Sequence, residues 1–122
     1  HTRSMPLVVS VAPGDSIADA VELLRRYGIS QTPVMENGQM VGSLTEDLLL
    51  RRLASGEPLT ASSVGQVQGP PFPKLEADSP AREAYTLFGS GQSAVAVISN
   101  GVLEGIVTKS DLLEFWANIR YS

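Results

Sequence analysis

Three short landmarks recur along the chain at one fixed offset, and this duplication constrains the fold more than any other feature. Asp15-Ser16 returns as Asp78-Ser79 (78 − 15 = 63), and Asn37-Gly38 as Asn100-Gly101 (100 − 37 = 63). Gly42-Ser43-Leu44-Thr45 returns as Gly105-Ile106-Val107-Thr108 (105 − 42 = 63). Three matches in one register define a duplicated unit. In a chain of 122 residues neither copy is long enough to close a core alone, so the two sheets are expected to pack together.

Each copy reads in the same order. The first opens with an extended apolar stretch, Leu7 to Val11, followed by Pro13-Gly14 as a turn. Asp15 or Ser16 can cap a helix whose apolar residues Ile17, Ala20, Val21 and Leu24 keep helical spacing, and Gly28 can stop it. Two short strands, Thr32 to Met35 and Met40 to Leu44, flank Asn37-Gly38, the strongest short hairpin signal. A second helix follows Thr45 and ends near Gly56. In the second copy Ser79-Pro80 reads as a cap with proline at the first helical position, and Ala84, Leu87 and Phe88 as that helix's buried face. Ala94 to Ile98, Asn100-Gly101 and Val102 to Val107 form the second hairpin, and Leu112, Leu113, Trp116 and Ile119 the stripe of a last helix. Within the first helix the register slips, so that Ala20 matches Ala84 better than Glu83.

The expected fold class is therefore α+β: two pseudo-twofold-related β-α-β-β-α repeats packed sheet to sheet. Residues 1–5 read as an expression-tag remnant, 6–56 as the first repeat, 57–73 as a linker rich in Pro, Gly and Ser, and 74–122 as the second repeat. Within the linker, Val64 to Val67 can form a single helical turn. The absence of a catalytic part suggests a domain cut from a longer protein.

Composition removes several classes of function. There is no cysteine and the single histidine is His1, so thiolate chemistry, a histidine zinc site and a Ser-His-Asp triad are not expected, nor any catalytic or metal-binding residue. A net charge of −4 opposes a general nucleic-acid binder. No apolar run approaches the roughly 18 residues a membrane helix needs. Nothing suggests export, so the expected location is cytoplasmic.

Two elements carry a family resemblance: Gly28-Ile29-Ser30-Gln31-Thr32-Pro33-Val34, and Gly105-Ile106-Val107-Thr108-Lys109-Ser110-Asp111-Leu112-Leu113. Duplicated behind Asn-Gly hairpins, they make the chain resemble a tandem CBS-domain pair, or Bateman module. The likeness covers nearly everything after residue 6 and is greatest to the C-terminal regulatory region of cystathionine β-synthase. Pro71-Phe72-Pro73 adds to it.

The resemblance implies a regulatory module rather than an enzyme, one that senses an adenosyl compound and modulates a linked catalytic domain or partner enzyme outside this chain. The implied ligand is S-adenosylmethionine, AMP, ADP or ATP, with no covalent cofactor, and the implied assembly is a homodimer. In the family a Thr and an Asp at the positions of Thr108 and Asp111 face the ligand, the Asp accepting hydrogen bonds from the ribose hydroxyls. A carboxylate has two acceptor oxygens for a vicinal diol, and ionised acceptors make the stronger bonds. Ser110 lies beside it, at a helix start whose free N–H groups suit an anionic group. Carried across, Ile29, Ser30, Gln31 and Thr32 line the adenine end and Ile106 packs on the base.

Each of these has a plainer reading. Thr108 and Asp111 can form only a variant capping box, and Ile29 and Ile106 can be ordinary core. The first copy also departs from the pattern: the position matching Asp111 is Leu48, and Asp47 stands roughly 100° round the helix from it. Asp47 then acts on the helix dipole and Thr45 as an N-cap, leaving one competent site and one degraded one. Near the second motif Lys109 is almost the sole cation, which favours S-adenosylmethionine, AMP or adenosine over a triphosphate, provided Arg25, Arg26, Arg51 and Arg52 lie on solvated faces. Glu76, Asp78 and Glu83 read as a solvated acidic face. The alternatives are a ligand-free dimerisation module, or the CBS pair of another enzyme or transporter.

Overall fold

The computed structural model describes residues 8–114, which fall into two compact units, one spanning Val9–Pro71 and the other taking Val8 and the chain from Phe72 onward. Trp116 and Ile119 of the expected last stripe, and Leu7 of the expected first strand, lie outside the described residues.

In the first unit, Asp15 folds back so that its Oδ2 accepts the Ala12 N–H (2.9 Å), closing the Pro13-Gly14 turn. Ser16 is thereby the residue left to cap helix α1 (Ile17–Tyr27), its hydroxyl accepting the Asp19 N–H at 3.0 Å. The helix ends on Gly28 at φ 62°, where the Gly28 N–H reaches Arg25 C=O and the Ile29 N–H reaches Leu24 C=O (3.0 Å). That paired closure requires a left-handed residue, which glycine adopts without steric cost. Strands β1 (Gln31–Glu36) and β2 (Gln39–Thr45) follow, pairing antiparallel around Asn37 and Gly38, both at positive φ (52° and 77°). This is the turn whose twist matches the flanking strands. Helix α2 (Glu46–Ala54) completes the motif.

The expected first strand does not form a ladder. Val11 alone makes a parallel bridge to Val34, through Val11 N–H to Pro33 C=O (3.2 Å) and Met35 N–H to Val11 C=O (2.8 Å).

Residues 57–71 pack within this first unit. A 3-10 turn at Leu59–Ala61 and the short helix α3 (Val64–Val67) deliver Leu59, Val64 and Val67 to the core formed by Val11, Ile17, Ala20, Leu24, Val34, Leu44 and Leu49. A capping box between Ser63 and Gln66 starts α3.

In the second unit β3 (Lys74–Glu76) runs parallel to β4 (Ala94–Ser99), which pairs antiparallel with β5 (Val102–Thr108). Asn100 and Gly101 repeat the positive-φ turn at 51° and 78°. Even the irregularity is duplicated: the register shifts between Val34 and Met35 in one hairpin and between Val97 and Ile98 in the other, again 97 − 34 = 63 apart. Helix α4 (Ala81–Gly89) starts one residue later than expected, because Pro80 keeps extended backbone (φ −61°, ψ 144°) and is itself the cap position. Ser79 instead closes the turn after β3, its N–H on Glu76 C=O at 2.9 Å. Ala84, Leu87 and Phe88, expected to be buried, are only half-buried.

Candidate functional site

The second repeat's strand-to-helix corner is built by its own side chains. β5 ends at Thr108, and the chain is helical over 109–114. The Thr108 hydroxyl accepts the Asp111 N–H at 3.2 Å, while Asp111 Oδ2 accepts the Thr108 N–H at 2.9 Å. This is the reciprocal box anticipated as the plainer reading. It engages one carboxylate oxygen; among the described residues Oδ1 has no hydrogen-bond partner. Asp111 and Ser110 are exposed and Thr108 is half-buried. The corner thus holds an open carboxylate oxygen and a hydroxyl beside the first N–H groups of a helix. Such a set can accept bonds from a hydroxyl-bearing ligand and donate to an anionic one.

The first repeat's corner keeps half of that box. Thr45 Oγ1 accepts the Leu48 N–H at 3.1 Å, but Leu48 has no acceptor to return and packs against the core instead. The Glu46 N–H is closed by the Ser30 C=O at 2.9 Å, a bond with no counterpart among the described residues of the second repeat. No side-chain pattern signals a backbone acceptor, so this role of Ser30 was not legible from residue types. Asp47 is exposed in the first turn of α2, as its position one residue early requires.

Ile29 to Thr32 join α1 to β1. Ile29 is half-buried against the first core, so its plainer reading as packing is realised in this unit. Ser30 is exposed, with its hydroxyl 3.2 Å from Gln31 Oε1. Thr32 is fully buried, and its hydroxyl donates to Val9 C=O at 2.9 Å. In the other unit Ile106 is half-buried on β5, opposite Ala96.

Charges elsewhere are solvated. Arg25 pairs with Glu22 (2.7 Å) and Arg52 with Glu57 (3.0 Å), Arg26 and Arg51 are exposed, and so are Glu76, Asp78 and Glu83. Among the described residues no cluster of His, Cys, Asp and Glu could hold a metal ion, and no helix is long and apolar enough to cross a membrane.

Comparison with known proteins places this geometry in context. The family model "CBS domain" matches twice, over residues 5–55 and 64–118. A cystathionine β-synthase from Dictyostelium discoideum is 31% identical over 118 residues, which is 92% of this chain but 24% of the synthase. The chain therefore spans about a quarter of that relative's length. Among solved structures, a CBS-domain-containing protein from Agrobacterium tumefaciens superimposes with a TM-score of 0.81 at 26% identity, covering 90% of both chains. CBSX2 in complex with AMP superimposes at 0.75 with 23% identity, covering 93% of this chain and 90% of that one, a likeness of fold.

Proposed function

The chain belongs to the CBS-domain family as a tandem pair, and on that premise we propose that it is a regulatory module binding one adenosyl compound per chain. The observation that carries this reading is the second repeat's corner, which retains Asp111 with an open carboxylate oxygen where the first repeat has Leu48. Within the second unit, we assign Thr108, Ser110 and Asp111 to the ribose and Ile106 to the base. S-adenosylmethionine, AMP or adenosine is favoured over ADP and ATP, because Arg26 and Arg51 are exposed, Arg25 pairs with Glu22 of its own helix and Arg52 with Glu57 just after its helix. The crystallised complex of CBSX2 with AMP supports an adenosyl ligand, and the identity to a cystathionine β-synthase supports a linked enzyme. A regulatory effect requires the ligand to prefer one of two arrangements of the module.

Isothermal titration with S-adenosylmethionine, AMP and ATP in turn tests the reading. One compound binds at one per chain, and Asp111→Asn, which keeps a capping oxygen but removes the charge, weakens it about ten- to a hundredfold. Unchanged affinity in that variant would remove Asp111 from the site.

Leu48 and the exposed apolar residues of α2, Leu50 and Leu53, favour a second reading, a module that dimerises without ligand. Absence of heat with every nucleoside, together with a dimer by sedimentation, would select it.

A further inference from the structure

Residues 62–70 are attached to the first unit in two ways that differ in strength. Residues 62–65 are tied by three backbone bonds, Ile17 N–H to Ser62 C=O (3.2 Å), Val64 N–H to Asp15 C=O (2.8 Å) and Gly65 N–H to Pro13 C=O (2.8 Å), the first two making the antiparallel bridge between Ser16 and Ser63. Val64 and Val67 anchor the same stretch in the core.

Residues 68–70 instead lie along the free edge of β2. Ser43 and Gly69 exchange two backbone bonds (3.1 and 2.8 Å), Ser43 Oγ donates to Pro70 C=O (2.7 Å), and Gln68 Nε2 donates to Val41 C=O (3.1 Å). Pro70 and Pro71 have no N–H, so this pairing cannot extend past Gly69. The approach depends on Gly42: a Cβ there would stand 2.5 Å from Gln68 Nε2 and 2.9 Å from the Gly69 carbonyl oxygen. Closure also leaves Gln68 Oε1 buried with no partner among the described residues. Flipping the amide would set that oxygen against the Val41 carbonyl, so the orphan belongs to the closed state and weakens it.

We infer that residues 68–70 are a detachable latch on β2, opening while the first unit stays folded. Held by two backbone and two side-chain bonds, with an uncompensated buried acceptor and outside the apolar core cluster that takes in Val64 and Val67, this stretch has a lower opening free energy than the core beside it. Family matching resumes at residue 64, so the latch is packed in the first unit but belongs by sequence to the second repeat. Opening releases the chain from residue 68 to Pro71, a short tether stiffened by Pro70 and Pro71 that ends where Phe72 is buried and Pro73 C=O accepts the Ala96 N–H (2.8 Å). That lengthens the covalent connection between the repeats without melting either, which gives the fold two discrete states.

Native-state hydrogen exchange on the full chain tests it. The Ser43 and Gly69 N–H groups exchange together, at least about tenfold faster than those of Val64 and Gly65. Ser43→Ala, which introduces no clash, raises exchange at Gly69 further and leaves Val64 unchanged. Gly42→Ala brings Gly69 to nearly unprotected exchange, with Val64 still protected. Equal rates at Gly69 and Val64 in the unaltered protein, or parallel loss at both in Ser43→Ala, would overturn the latch and make 62–70 one cooperative piece of the core.

Discussion

The two repeats share one hairpin geometry, down to the bulge, yet the first has a single bridge at Val11 where the second has strand β3, and they are packed differently. In the first, Leu44 is fully buried and α1 sinks Ile17, Ala20 and Leu24 into the core. In the second, Val107 at the matching position is half-buried, and no residue of α4 is buried. The difference follows from residues 57–71. Leu59, Val64 and Val67 are added to the first repeat's core, so its helices meet more apolar surface than their own hairpin offers. A repeated sequence thus fixes repeated local geometry without fixing equal burial.

The corners show the same divergence in polar form. Leu48 trades the returning half of a capping box for a place against the core, while Asp111 keeps the box and leaves one oxygen open. A side chain cannot serve both ends. The first corner is committed to packing, and the second retains a polar group facing solvent.

Substitutions can break this contrast. The largest expected effect is at Leu44→Ala, which should destabilise the chain by about 2–5 kcal/mol, against about 1 kcal/mol for Val107→Ala, measured by urea unfolding. Equal losses would mean that the two hairpins are equally packed. Gly42→Ala should cost about 1–3 kcal/mol through its collision with Gln68 and Gly69. Gly105→Ala, with nothing within 4 Å of its added Cβ among the described residues, should stay within about 0.5 kcal/mol on the same measurement.

Smaller changes sharpen the comparison of corners. Thr45→Ala and Thr108→Ala should each lose about 1 kcal/mol, since each hydroxyl accepts one helix N–H. Thr108→Ala alone should also weaken the nucleoside in calorimetry. A matching loss of affinity from Thr45→Ala would show that the first corner takes part in binding. The smallest net change is expected for Leu48→Asp, where a restored box partly offsets the lost packing. A rise in stoichiometry from one nucleoside per chain to two would show that Leu48 alone silences the first corner.

Much of this was legible in the sequence because it is decided within a few residues. Asn37-Gly38 and Asn100-Gly101 specify their turns by tolerating positive φ. Ser16, Thr45, Thr108 and Gly28 terminate elements through groups three to five residues away, within reach of the local backbone. The capping box at Asp111 was readable for the same reason. What misled was position by one residue, as at Pro80, and depth of burial, as at Leu87 and Phe88.

By itself, then, the sequence determined the duplication, the hairpins, most of the helix ends and the family, and it marked Asp111 against Leu48 as the asymmetry to examine. Only the tertiary structure decided that residues 57–71 complete the first core, that Thr32 gives its hydroxyl to Val9, and that Gln68 and Gly69 lie over Gly42. Turns and caps answer to neighbours along the chain, where spacing is fixed by covalent geometry. Burial answers to partners distant in sequence, such as Ser43 and Gly69, and those are fixed only when the apolar surfaces close together.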